Sequence, residues 1–251
     1  MTKPNILYFD IETTPMRVWT FRLGDQYIQH GQIVDGDNID IICITYCWDT
    51  GPAYALQWDS NQNSKKMIEA FDKIVKEADI VIGQNSDNFD VKHINTQRML
   101  HGLPPFPQWA DATDDTLKQL RKNFKFPSNK LDYISSVLGY GGKVKMELRD
   151  WIAIVQDKCP KALAKMVKYG KKDVLDTRKV FHRLKPYITP KLNMSAFNET
   201  LCCRNCGYDR LIKNGTRVIG QTRYQYFYCN KHGGHAGKAA ISKTGKVGKL
   251  T

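Results

Sequence analysis

Three short stretches of the chain place carboxylates where divalent-metal chemistry needs them. Phe9-Asp10-Ile11-Glu12-Thr13 closes an alternating apolar run, and strand periodicity puts Asp10 and Glu12 on one face. Two carboxylates side by side in an apolar setting repel each other, so the pair calls for a cation; taken alone, a D-x-E also fits a surface or structural role. In Gly83-Gln84-Asn85-Ser86-Asp87-Asn88-Phe89-Asp90 an apolar run ends in a turn and a helical pattern begins. Asp90, and Asp87 equally, also suits a plain helix N-cap there. Tyr169 and Asp173 stand at i, i+4 in a long helical segment, so phenol and carboxylate share a face, as ordinary surface residues would.

A second group offers softer ligands. Cys203-Arg-Asn-Cys206-Gly207 and Cys229-Asn-Lys-His232 are two pairs of the same spacing, separated by the strand-like run from Arg223 to Cys229 and by a turn expected at Asn214-Gly215. Four such ligands close a structural zinc site and leave no open position for catalysis. His235 competes with His232, and Cys202 with Cys203; a free-thiol cluster or a disulfide is the alternative to metal. Cys43, Cys47 and Cys159 are scattered and read as core thiols.

In order and context, the motifs D-x-E, N-x-x-x-[FY]-D and Y-x-x-x-D resemble the DEDD-type 3′-to-5′ exonucleases of the proofreading, ribonuclease-H-like superfamily, over roughly residues 5–185. The stretches 131–139 and 169–181 add to the likeness. Lys168 stands where the sister subgroup has His, so the resemblance is to the Tyr subgroup (DEDDy). It implies hydrolysis of phosphodiester bonds with two Mg²⁺ or Mn²⁺ ions. Asp10, Glu12 and Asp173 would hold the ion that activates water, Asp10 would share the second ion, Asp90 would support that one, and Tyr169 would orient the water. It also implies that Thr13, Asn85 and Phe89 lie near the terminal nucleotide, with core packing as the other role open to Phe89.

The cysteine region resembles the zinc ribbons of transposase-type proteins, departing from them in His232 where a fourth Cys is usual, and so implies structural Zn²⁺. Arg204, Arg210, Lys213, Arg217, Arg223 and Lys231, interleaved with Tyr208, Tyr224, Tyr226 and Tyr228, suit phosphate contact and base stacking. Arg217, Arg223 and Tyr226 are expected to touch substrate. Because alternate residues of the Tyr run must pack inward, only some can face nucleic acid. The function implied is a 3′-to-5′ exonuclease acting on single-stranded DNA, ahead of RNA, in replication, repair or recombination, with a polymerase or a repair complex as partner. A structure-specific endonuclease and a non-catalytic DNA-binding accessory protein are the alternatives.

These residues need elements to position them. Periodicity predicts strands at 5–11, 40–48 and 53–58 forming a meander, an irregular segment at 13–38, a helix at 64–77 with Ser64 as N-cap, a strand at 79–82 and a helix at 90–100. From 114 to 184 the pattern is mostly helical: 116–121, 131–138, 147–156 and 160–184. The expected class is α/β: a ribonuclease-H-like mixed sheet flanked by helices, plus a small C-terminal zinc ribbon. The expected division is 1–188 for the exonuclease-like domain, 189–200 for a linker, 201–235 for the ribbon and 236–251 for a basic flexible tail.

Charge points the same way. The 251 residues carry a net charge of +13, and from Lys191 onward eleven Lys and Arg face two acids, a local balance of +9. Clustered cations of this kind suit a polyanionic partner, whose counterions they release. The longest apolar run, 39–48, is too short to span a bilayer, and no charged-then-apolar leader precedes the first strand-like run. An intracellular protein with no membrane partner is the expectation.

Overall fold

The computed structural model describes residues 4–34, 37–105, 113–141, 144–242, 244–248 and 250–251. At its centre is β1 (Ile6–Thr13), whose residues are apolar on both faces up to Phe9. Leu7, Phe9 and Ile11 pack on one side against Met67, Ile68 and Phe71 of α1 (Lys65–Lys76) and Ile94 of α2 (Asp90–Leu100). Ile6 and Tyr8 pack on the other side against Val174, Val180, Phe181 and Leu184 of α6 (Pro160–Leu184), together with α3 (Thr116–Asn123) and α4 (Leu131–Val137). Each large apolar side chain buried in this way contributes about 1.5–3 kcal/mol.

Antiparallel pairing joins β1 to β2 (Ile41–Trp48) and β2 to β3 (Ala53–Gln57), the meander that the sequence predicts. Parallel pairing joins β1 to β4 (Ile80–Gly83) and β4 to β5 (Thr113–Asp115), giving the order β3-β2-β1-β4-β5. This mixed sheet with helices on both faces is the expected α/β, ribonuclease-H-like architecture. β5 departs from the expectation, since Thr-Asp-Asp has no apolar pattern. It is buried because its polar groups are answered: Asp114 accepts from Gln119 Nε2 (2.9 Å) and Lys191 N (3.1 Å). Ser64 stands at the N-cap of α1 as expected, but its side chain makes no capping hydrogen bond; its hydroxyl meets Asp40 (2.6 Å) and His101 (2.9 Å) instead.

α6 begins with Pro160 at its first turn, where the missing N–H costs nothing, and runs antiparallel to β1. Phe181 therefore meets Tyr8 with ring centroids 6.0 Å apart, while Gly170, earlier in the helix, lies over Thr45, the β2 partner of Asp10. α5 (Leu148–Val155) packs against the first half of α6 through Ile154 and Met166.

A second sheet, β6 (Leu211–Ile219), β7 (Thr222–Cys229) and β8 (Gly234–Ala240), forms an antiparallel array in that order. Asn214-Gly215 is not its turn. β6 runs through them with a bulge between Lys213 and Thr216, and the chain reverses at Gly220-Gln221, where Gly220 takes φ +58°. The segment 236–251, expected as a flexible tail, instead supplies most of β8 and a bridge between Ile241 and Val247. Ala236, Ala239 and Leu250 fill the space behind Cys203, Phe227 and Cys229, so small residues that read as low complexity are packing. The loop that precedes this sheet is held to the chain that follows α6: Asn205 Nδ2 donates to Lys185 O (3.0 Å) and Ile188 O (3.4 Å), and Arg204 to Pro190 O (3.3 Å). No helix among the described residues is long and apolar enough to cross a membrane.

Candidate active site and metal cluster

The acids singled out in the sequence meet at the C-terminal end of β1. Asp10 and Glu12 point to the α6 side of the sheet, opposite Thr45 and Cys43 of β2. The pairing of β1 with β4 stops at Tyr8 and Ile82, so the amide of Ile11 is left without a strand partner. Asp90 takes it: the buried carboxylate accepts from Ile11 N at 2.9 Å, which ties the first turn of α2 to β1. Asp90 is therefore not an N-cap, and Asp87 pairs with Lys118 at 2.7 Å rather than capping the helix. From α6, Tyr169 donates its phenol hydrogen bond to the Asp173 carboxylate.

Burial raises all four carboxyl groups. Around Asp10 the desolvation is compounded by Asp90, Glu12 and Asp173, which hold it well above the usual range. Desolvation, then Asp173 and Asp90, push Glu12 up to about 8. Asp90 rises to about 7 through burial, opposed by the Ile11 amide, and Asp173 to about 6 through burial, opposed by Tyr169. The Tyr169 phenol is also pushed up, by burial and then by Asp173, so it serves as a neutral donor. Asp90 is buried and Asp10, Glu12 and Asp173 half-buried, and carboxylate oxygens that repel one another, with no His or Cys among them, suit a hard divalent cation. Asp10, Glu12, Asp90 and Asp173 are the residues that would hold it; they stand further apart than the cysteine cluster does, with no three of them bringing ligand oxygens within 4.8 Å of one another.

The sequence pattern does not mark Asp115. It caps α3 through Leu117 N (2.9 Å) and Lys118 N (3.3 Å), and the same carboxylate accepts from Asn85 N (3.0 Å) and Asp87 N (3.4 Å). It thereby fixes the turn that carries Asn85, which stands at φ +64°, a conformation Asn tolerates better than most residues. Its only signal in sequence is an acid before a helical pattern, which reads as a cap and nothing more.

Gly170 lets α6 come close enough for Tyr169 and Asp173 to reach the acids of β1. A Cβ there would lie 2.8 Å from Thr45 Cγ2 and 2.9 Å from its Oγ1. Gly170→Ala is expected to destabilise the fold by about 1–3 kcal/mol through overpacking, and to displace Tyr169 and Asp173. Thr45→Ala in the same chain should restore most of the stability, as urea melts of the single and double variants would show. A double variant no more stable than Gly170→Ala would mean that the contact does not set the spacing.

The second cluster is tighter. Cys203, Cys206, Cys229 and His232 offer ligand atoms that all lie within 4.8 Å of one another, the one such group of Cys, His, Asp or Glu among the described residues. Cys203 Sγ is 3.0 Å from His232 Nε2, and Cys206 Sγ is 3.6 Å from Cys229 Sγ. Backbone amides point at the sulfurs, Asn205 N to Cys203 at 3.4 Å, and the Cys206 thiol is drawn down to about 5, first by the hydrogen bond from Cys203. This set could hold a metal ion such as zinc. His235 is not part of it: its ring lies 5.5 Å from that of Tyr226. Cys202 points away, towards Met194 O at 3.9 Å.

The residues expected to contact substrate fall into two groups. Thr13, Asn85 and Phe89 are at the carboxylate end, and Phe89 is 39% exposed with its ring edge-on to His93 at 4.5 Å, so it is not core packing. Arg217, Arg223 and Tyr226 are in the second sheet. There Gln225, Phe227 and Cys229 turn inward while Tyr224, Tyr226 and Tyr228 share the outer face. Arg217 lies 5.0 Å over the Tyr226 ring and Lys238 4.5 Å over that of Tyr224.

No family model matches the chain, and no curated protein does. Among solved structures the chain is similar to the family B DNA polymerase from the hyperthermophilic archaeon Pyrobaculum calidifontis, with a TM-score of 0.55 at 16% identity. The match covers 89% of this chain and 32% of the polymerase, so the chain spans about a third of its neighbour's length. At that identity the likeness is one of fold.

Proposed function

We propose that the chain is a metal-dependent 3′-to-5′ exonuclease acting on single-stranded DNA. One observation carries the proposal: Asp10, Glu12, Asp90 and Asp173, drawn from one strand and two helices, converge with Tyr169 on a single end of the sheet. A protein gains nothing in stability by keeping repelling carboxylates together, and a cation-dependent reaction gives them a use. Bound Mg²⁺ or Mn²⁺ would supply an acidified water and neutralise charge at the phosphate. The chain's own part is to bring the acids together although each then tends to protonate, to keep Asp90 fixed through the Ile11 amide, and to aim the Tyr169 hydroxyl as a hydrogen-bond donor beside Asp173; a bound cation would favour their ionised forms. The DNA polymerase among the fold neighbours and the net charge of +13 support nucleic acid as substrate, DNA ahead of RNA. We further assign residues 1–188 to catalysis and the segment from 201 onward to a zinc-bearing element that holds the substrate.

The test is degradation of 5′-labelled single-stranded DNA in Mg²⁺ or Mn²⁺, with 3′-blocked DNA and RNA in parallel. A ladder that shortens from the 3′ end and disappears on the blocked strand is the expected result. Internal cuts on the blocked strand would make the protein an endonuclease, and no metal-dependent cleavage of any substrate would leave it a binding protein.

A further inference from the structure

The connection from β1 to β2 carries the most exposed large apolar side chains of the described structure. It is rooted beside Thr13, where Thr14 N donates to Asp40 O (2.9 Å) and Asp40 N to Thr14 Oγ1 (2.9 Å). A short stem follows. Trp19 N donates to Gln32 O (2.7 Å), Val34 N to Arg17 O (3.0 Å), Val18 bridges Ile33, and Arg17 pairs with Asp37 at 2.9 Å. Beyond this ordered stem the side chains face water: Phe21 is fully exposed, Leu23 99%, Tyr27 91% and Trp19 72%.

A stem held by its own ladder, ending in aromatic rings in water, is built to meet something apolar. Topology restricts what that can be. The connection leaves and re-enters the sheet at the end where Asp10, Glu12 and Asp90 converge, one residue beyond Thr13. Unpaired bases of a strand ending at those acids are the apolar faces nearest to hand, and exposed Phe89 belongs to the same end of the sheet. Base–aromatic stacking tolerates any sequence, which suits a strand that shortens as it is used. Exposed Arg22, next to Phe21, adds a cation for the backbone phosphates.

We propose that this arm is a stacking clamp for unpaired nucleic acid, with Trp19, Phe21 and Tyr27 taking bases just behind the 3′ end. The proposal rests on the exonuclease reading for where that end lies. Its test needs no hydrolysis. In buffer with neither Mg²⁺ nor Mn²⁺ and without chelator, so that zinc is kept, fluorescence anisotropy would give the affinity for a 5′-labelled single strand of about 12 nucleotides, a length within the usual site size, and for the same strand with its 3′-terminal nucleotides abasic. The triple variant Trp19→Ala/Phe21→Ala/Tyr27→Ala removes no stem hydrogen bond, because Trp19 enters the stem through its backbone.

The expected result is a loss of about tenfold or more on the intact strand, with an unchanged salt dependence. Abasic substitution should weaken the wild type by a similar factor and leave the variant unaffected. Equal affinities of wild type and variant, or equal losses on both strands, would overturn the clamp. So would self-association of the wild type that the variant lacks, which would make the arm a docking surface between copies. A chain without nuclease activity that still shows abasic-sensitive binding would lose the exonuclease reading and keep the clamp; an active nuclease indifferent to the arm would do the reverse.

Discussion

Asp10→Asn is expected to abolish DNA hydrolysis while making the metal-free protein more stable at pH 8. The loss of activity, on the order of a thousandfold or more, follows if Asp10 is shared by both metal positions. The gain in stability follows from the same carboxylate cluster without its cations. In an unfolded chain these acids titrate near 4, but folded they are raised, Asp173 to about 6, Asp90 to about 7 and Glu12 to about 8. Between those limits the folded state binds more protons than the unfolded one. The sign is therefore opposite to that of a salt-bridged Asp: stability is fully present below about pH 4 and is lost as pH rises towards 8.

Because the acids share one mutual repulsion their separate shifts do not add, and the cluster as a whole is expected to weaken the metal-free fold at pH 8 by at least a few kcal/mol, or on the order of 10 °C in Tm. Removing Asp10 relieves part of that repulsion. Thermal melts at pH 5 and pH 8 in buffer with neither Mg²⁺ nor Mn²⁺ and without chelator should show wild type falling more steeply than Asp10→Asn, and Mn²⁺ should rescue wild type at pH 8 but not the variant. Parallel pH profiles for the two proteins would show that the acids do not sense one another as argued.

Loss of one thiol should have an effect of comparable size at the other end of the chain. The second sheet has little core, with Phe227, Ala236, Ala239 and Leu250 behind the cysteines, while β6 is solvent-exposed along almost its whole length. Structural zinc contributes about 10–16 kcal/mol to small sites of this type, far more than that core can. Cys206→Ser, or a chelator, is expected to erase hydrogen-exchange protection in β7 and β8 while β1 and β2 keep theirs. Metal analysis of the wild type should find one zinc per chain. Protection surviving in β7 after complete removal of metal would show that packing alone suffices.

What is readable in the sequence is local. Asp10 and Glu12 sit in a run whose alternation announces both the strand and its shared face, and Tyr169 and Asp173 sit in a helix whose apolar stripe predicts its bounds. Residues that act through distant partners give no such sign. Thr113-Asp114-Asp115 forms a strand because β4 and Lys191 answer its polar groups, contacts that no window of sequence contains. Asn214-Gly215 is a strong hairpin signal, but the pairing of Leu211 with Cys229 fixes a register in which the reversal must fall at Gly220-Gln221. The Gly, Lys and Ala of the last residues read as a solvated tail because small side chains carry little periodicity, although small side chains are what fits behind a ring of cysteines.

α6 also sets a length scale. Between Asp173, beside the acids, and Leu184, next to the Lys185 carbonyl that holds Asn205 of the cysteine knuckle, its rise is about 17 Å, and a rigid helix holds that separation fixed. Along a strand with B-form rise this corresponds to about five nucleotides. In the proposed function the helix acts as a ruler: a strand longer than this can be gripped at both ends of the protein at once, and a shorter remnant at only one. On that reading, the point at which a shrinking substrate would change from doubly to singly held is set by the number of turns in one helix.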